Sequence, residues 1–181
     1  MRSPHSFIVS PKKKRYKTTT IAGVELDTST SIENAKDVSK EGIVVALPLI
    51  YDGPIKVGDE VLIHHNIFRE YYDQTGKLKY SRAFLYDDLF TAIPEEVFLY
   101  KKDGEWMPHL DFCFVKPIHE DNLSLLDNSQ LQHTGTIFLS NEHTTKEPIG
   151  FTRESEYEIE IDGELYYRMR DNDICLYERF Q

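Results

Sequence analysis

Histidines and acids are the residues of this chain with the most evident capacity for chemistry. His64 and His65, followed by Glu70, together with His109, Asp111, His119, His133 and His143, offer imidazole and carboxylate donors of the kind that hold a transition metal. Their spacing is poor for that purpose. Adjacent residues of a strand point to opposite faces, so His64 and His65 could share one ion only across a bulge. Asp87-Asp88, Glu95-Glu96 and the acidic stretch near the C-terminus imitate paired catalytic carboxylates, but they fall at turn signals and strand faces, where solvated acids are ordinary. Cys113 and Cys175 form no CxxC and have no histidine close in sequence, so they read as small buried apolar residues. The expectation is a chain with no catalytic residue, no metal and no cofactor of its own.

A different capacity lies between Lys12 and Lys40, the longest interval without a convincing strand. It is rich in Thr, Ser, Lys and Asp, and its one concentrated apolar patch is Ile21-Ala22-Gly23-Val24-Glu25-Leu26. A connection this long inside a compact domain is uncommon and is usually functional or disordered. Polar flanks around a few apolar residues suit a segment, about 15–39, that is mobile when free and docks as an extended strand when bound. An ordinary loop with one strand packed on the body is the competing reading of the same pattern.

The elements that would carry these residues are short strands. Phe7-Ile8-Val9, Gly42 to Leu47, Val61-Leu62-Ile63, Val97 to Tyr100, Phe112 to Val115, Thr136 to Leu139 and Tyr157 to Ile161 are β-branched and aromatic runs separated by turn signals. Many strands with such punctuation predict an all-β barrel or sandwich. Tyr157 to Ile161 alternates apolar with acidic residues, and Asp162-Gly163 supplies the positive φ of a two-residue hairpin. Collinear matches suggest an internal repeat: Ser6 to Pro11 with Phe112 to Pro117, Lys40 to Ala46 with His133 to Leu139, and Glu95 to Tyr100 with Asn172 to Tyr177, at offsets of 106, 93 and 77.

Composition narrows the setting. The 181 residues suffice for one ordinary domain or two very small ones, and 40% hydrophobic with 29% charged residues is globular. No apolar run approaches the roughly 20 residues of a membrane helix, the first residues lack a signal-peptide pattern, and two cysteines are too few for a disulfide scaffold. A reducing cytoplasm is the expected compartment. The net charge of −10 argues against a general nucleic-acid binder. It is uneven: residues 1–17 hold six of the 21 basic residues and none of the 31 acids, leaving the remainder at −16. The basic run reads as a strand end or the root of a loop rather than a nucleic-acid patch.

Taken in order, the basic strand end, the Ser/Thr-rich loop bearing Gly23-Val24-Glu25-Leu26, Glu41 to Ala46 and Ile55-Lys56-Val57-Gly58-Asp59-Glu60-Val61-Leu62-Ile63 resemble the GroES-type co-chaperonins of the chaperonin-10 family. The C-terminal run from Glu158 to Ile174 matches best: an acidic hairpin around Asp162-Gly163-Glu164 leads into Tyr166-Tyr167-Arg168-Met169-Arg170, then Asp173-Ile174 and a final strand. The likeness is weak over 64–90 and 118–133. The chain offers the family's last strand twice, so the resemblance implies two tandem GroES-like irregular β-barrels. These are 1–103, with the mobile loop and an enlarged hairpin at about 64–90, and 109–181, shorter, with 104–108 as a linker in which Trp106 packs. Leu47 to Ile55 is shorter than the family's roof hairpin. The second loop, His119 to His133, retains Leu123-Ser124-Leu125-Leu126 but lacks the Gly-flanked patch and is not assigned partner binding.

The resemblance implies a function without bond chemistry: capping a GroEL-type chaperonin ring, which binds the ATP, and enclosing a client protein. Ile21, Val24 and Leu26 would be the anchors in a groove of the chaperonin, with Gly23 at the turn and Ala22 and Glu25 between. The family's own assembly is a ring of seven copies. No nucleic acid and no membrane are implied as partners. An enlarged co-chaperonin would suit a virus that supplies its own lid in a host cytoplasm. Two alternatives remain open at this point, a cupin-like metal-binding β-barrel enzyme and a noncatalytic β-barrel adaptor.

Overall fold

The computed structural model describes residues 3–16, 18–21, 24–27, 38–118 and 133–177. They form an all-β fold, as the punctuated β-branched and aromatic runs predict. The chain divides into two compact units, Met1–Trp106 and Met107–Gln181. The first contributes β1 (Phe7–Pro11), β2 (Thr18–Ile21), β3 (Val24–Asp27), β4 (Glu41–Ala46), β5 (Glu60–Ile63), β6 (Glu70–Tyr72), β7 (Leu78–Tyr80), β8 (Phe84–Tyr86), β9 (Leu89–Ala92) and β10 (Val97–Lys102). β11 (Glu105–Pro108) spans the division. The second contributes β12 (Phe112–Pro117), β13 (Thr134–Leu139), β14 (Pro148–Phe151), β15 (Tyr157–Ile161), β16 (Glu164–Arg170) and β17 (Ile174–Tyr177).

One sheet has the order β11-β10-β5-β4-β1-β9-β8, the other β15-β16-β12-β13-β14-β17, and β2-β3 and β6-β7 are separate two-stranded ribbons. Without β11, the first sheet read from β10 and the second read from β17 are one topology: β10 answers β17, β5 answers β14, β4 answers β13, β1 answers β12, β9 answers β16 and β8 answers β15. The registers agree residue by residue over the central strands. Ile8 pairs Ala46 and Val9 pairs Val44 across a bulge, as Phe114 pairs Leu139 and Val115 pairs Ile137 across another. Val97 pairs Ile63 and Leu99 pairs Leu62, as Ile174 pairs Phe151 and Leu176 pairs Gly150, again with a bulge in each. Offsets of 106, 93 and 77 therefore recur between the registers, and β5 and β14 add a fourth, 88.

Smaller features repeat too. A 3₁₀ turn precedes β10 at Pro94–Glu96 and β17 at Asp171–Asp173. In one, Ile93 N donates to the Glu96 carboxylate at 3.0 Å; in the other, Arg170 N donates to that of Asp173 at 2.8 Å. Glu96 and Asp173 thus brace the two turns.

The shared frame is packed differently in the two units. Phe7 pairs with Ala92 in the first and Cys113 with Met169 in the second, and all four are buried. The large side chain has moved to the partner strand, an exchange that keeps core volume while changing its source. Gly42 and Gly135 stand opposite Pro11 and Pro117. A Cβ at Gly135 would strike the Val115 side chain and lie 2.7 Å from Lys116 O, whereas at Gly42 the nearest atoms are 3.3 Å away.

Three expectations change. The interval from Lys12 to Lys40 contains β2 and β3, because Thr18-Thr19-Thr20-Ile21 and Val24 are β-branched whatever their polarity. Residues 105–108, expected as linker, form β11, since Asp103 and Gly104 take the positive φ values (52° and 91°) that return the chain along β10. Trp106 accordingly lies on a strand, with Lys101 Nζ 5.1 Å from its ring centroid. His64 and His65 follow β5 in a turn rather than occupying opposite strand faces, and their rings stack at 4.4 Å.

Candidate partner-binding site

The segment singled out for partner binding leaves the first sheet after β1 and rejoins it at β4. Its basic root is largely paired. Lys12 Nζ donates to Glu60 Oε2 at 2.8 Å and lies 3.4 Å from Glu41, while Lys13 reaches Glu41 at 3.8 Å. The Lys12–Glu60 hydrogen bond raises the pKa of the lysine and lowers that of the acid. Arg15 Nη1 is 2.8 Å from Glu70 Oε1, and its Nε is 3.6 Å from Asp88 Oδ1. Its guanidinium carbon stands 5.1 Å from the Tyr80 ring centroid and 5.8 Å from that of Phe90. Lys12, Lys13 and Arg15 are each engaged by acids of the first unit.

Beyond the root, Tyr16 forms an antiparallel bridge with Val38, and Ser39 N donates to Arg15 O at 2.7 Å. Glu70 N donates to the Tyr16 hydroxyl at 2.5 Å. The two ends of the excursion are thus held side by side. Of the expected anchors, Ile21 ends β2, and Val24, Glu25 and Leu26 lie in β3; Ile21 pairs Val24, Thr20 pairs Glu25 and Thr19 pairs Leu26. Ile21, Val24 and Leu26 occupy register positions of one parity, Glu25 the other. Ala22 and Gly23 lie outside the described residues, as do most of the 15–39 loop and the second loop at 119–132.

The residues considered for metal chemistry are scattered among other tasks. Glu70 is engaged by Arg15, and Asp111 forms an ion pair with Arg170. His109 is buried, and the ring of His133 meets Phe151 edge-on at 5.9 Å. Burial drives the His65 pKa down to about 4. His119 lies outside the described residues. Among the described residues no three His, Cys, Asp or Glu side chains gather as a metal site. Cys113 is fully buried, as expected, which pushes its thiol up to about 12; Cys175, expected to be buried, is exposed, and its thiol donates to Gly150 O at 3.3 Å. Asp87 and Asp88 make the β8–β9 turn with φ of 46° and 58°.

A polar cluster in the second unit escaped the sequence reading. Asp171, whose side chain is 2% exposed, accepts from Ser140 Oγ at 2.7 Å, and burial raises its pKa. His143 is within 2.6 Å of the Tyr177 hydroxyl through Nδ1 and 3.0 Å of Asp171 O through Nε2. Asp171 stands where the first unit has Pro94, so comparing the repeats was the one signal that could have exposed it.

No protein-family model matches this chain, and no curated protein matches it. Among the described residues, no helix is long and apolar enough to cross a membrane.

Proposed function

We propose that this chain is a co-chaperonin of GroES type, built from two tandem GroES-like units, which caps a GroEL-type chaperonin ring in an ATP-dependent way and encloses a client protein. ATP belongs to the partner; the chain itself needs neither metal nor catalytic group. The observation that carries the reading is the β2–β3 ribbon, inserted between β1 and β4 with its root fixed, whose register groups Ile21, Val24 and Leu26. Those three are the anchors that would enter an apolar groove between helices of the chaperonin, with Glu25 on the opposite parity.

One short apolar segment binds weakly and loses ordering entropy, but several presented on one ring make later contacts effectively intramolecular. Ring assembly, with seven copies as the family precedent, supplies that avidity, and weak single anchors permit release when the nucleotide changes. The setting is the cytoplasm, of a host if a virus encodes the chain.

The test is particle mass, measured with and without a GroEL-type chaperonin and ATP. A ring that joins the chaperonin with adenine nucleotide is the expected result, and Val24→Ser with Leu26→Ser should abolish joining while leaving the sheets folded. Normal joining by that double variant overturns the anchors. A stable partner held irrespective of nucleotide would establish the noncatalytic adaptor instead.

A further inference from the structure

The first unit differs from the second by an insertion whose purpose the shared frame does not explain. Between β5 and β8 the chain runs through residues 64–83, including the β6–β7 ribbon, whereas between β14 and β15 only residues 152–156 intervene. The ribbon is tied down at its foot, where Ser81 Oγ donates to Ile67 O at 2.6 Å and Ser81 N to Arg69 O at 3.0 Å. Tyr80 stacks on Phe84 at 4.3 Å, and Phe84 meets Phe90 at 5.4 Å. Onto this surface comes Arg15, between the carboxylates of Glu70 and Asp88 and facing the Tyr80 and Phe90 rings. Tyr16 follows, its hydroxyl accepting the first amide of β6.

We propose that the β6–β7 insertion is a docking platform for the root of the partner-binding segment, with Arg15 and Tyr16 as its positioning residues. The inference rests on the co-chaperonin reading for what the segment binds, but not for the platform itself. Three observations converge. Arg15 stands between two acids and two rings, so ion pairing and cation–π attraction hold its charge at this place. The Tyr16–Val38 bridge and the Ser39 N to Arg15 O bond tie the outgoing and returning chains together at the same place. Finally, the second unit lacks the insertion, and its corresponding interval 118–133 contains neither Arg nor Tyr and no Gly-flanked apolar patch. The inserted ribbon and the Gly-flanked apolar patch thus occur together in one unit, and the other has neither. Tying the two ends of the segment together at one place restricts how far its apolar positions can range, so less freedom is lost on binding.

Amide hydrogen exchange on the full chain, alongside ATP-dependent capture by a GroEL-type chaperonin, decides this. Arg15→Ala should speed exchange of the Ser39 and Glu70 amides about tenfold and weaken capture by a similar factor, leaving β1, β4 and β10 amides unchanged. Tyr16→Phe removes one hydroxyl and should speed the Glu70 amide with about threefold weaker capture. Arg15→Glu combined with Glu70→Arg should restore part of the protection. Should Arg15→Ala loosen the whole sheet, Tyr16→Phe decides. Unchanged exchange at Ser39 and Glu70 overturns the platform, and faster exchange with unchanged capture overturns the positioning role. Wild-type chain that captures no chaperonin sinks the co-chaperonin reading and with it the positioning role, and exchange alone then decides whether the platform exists.

Discussion

The two units share six strands in one order, with bulges and 3₁₀ turns at corresponding places, yet almost none of their core identities coincide. Phe7 and Ala92 do in one unit what Cys113 and Met169 do in the other. Register and backbone close approaches are what the frame demands; side-chain identity is negotiable so long as volume is conserved. What lies outside the frame is where the units part. The first carries the β2–β3 ribbon and the β6–β7 insertion, while the second carries the buried Asp171 cluster.

The largest expected effect tests the core exchange. Phe7→Cys should cost about 3 kcal/mol in urea unfolding, because it leaves a cavity beside Ala92 and strips the edge-on contact with Tyr51 at 4.8 Å. Adding Ala92→Met should recover at least about 1 kcal/mol of that loss. A double variant no better than the sum of the two single ones would break the equivalence of the paired positions.

Next comes the glycine pair. Gly135→Ala drives a methyl into Val115 and the Lys116 carbonyl and should cost about 2–3 kcal/mol. Gly42→Ala, facing contacts at 3.3 Å from the Phe68 ring and Ser10 O, should cost about 1 kcal/mol. Equal losses in thermal unfolding would mean that the tighter approach at Gly135 relaxes freely.

Much of the frame was legible before any coordinates. The β-branched runs marked β1, β4, β5, β10, β12, β13 and β15, and Asp162-Gly163 marked a turn whose φ values are 50° and 88°. Three offsets between the halves were readable because Pro11 and Pro117, Gly42 and Gly135, and Leu99-Tyr100 and Leu176-Tyr177 fall at the same register positions. The fourth was not, since Val61-Leu62-Ile63 and Ile149-Gly150-Phe151 share a face and a bulge but no residue identity. β2 hid behind threonine, whose hydroxyl looks like loop composition while its branched Cβ favours a strand. The platform was illegible for another reason. Tyr16 meets Glu70 across 54 residues, and nothing in a run of basic residues announces which acid each will find.

Asp171 is the third comparison, because Pro94 at the corresponding turn carries no charge. Burial raises the Asp171 pKa, so the folded state favours its protonated form; the destabilisation is absent below the unfolded value and complete above the raised one. Asp171→Asn should therefore be neutral or stabilising by up to about 1 kcal/mol at pH 7 and lose that advantage as pH falls through the raised pKa. An advantage that grows on acidification would contradict burial as the cause.

The smallest effect has the opposite sign and belongs to the first unit. Glu60 is held below its usual range by the Lys12 hydrogen bond, so its contribution is present above the unfolded pKa and fades as pH falls through the lowered folded value. Both side chains are roughly a third exposed, which limits the pair to about 0.5 kcal/mol once solvent screening is allowed for. Glu60→Gln should thus cost that much at pH 7 and almost nothing once the acid is protonated, and added salt should shrink the difference further. The two carboxylates make a matched pair of probes: acidification should narrow both gaps, one by relieving a buried charge that the second unit carries and the other by dissolving an ion pair at the root that the first unit uses. A Glu60→Gln cost that persists unchanged in acid would show that the root is held by the geometry of Lys12 rather than by its charge.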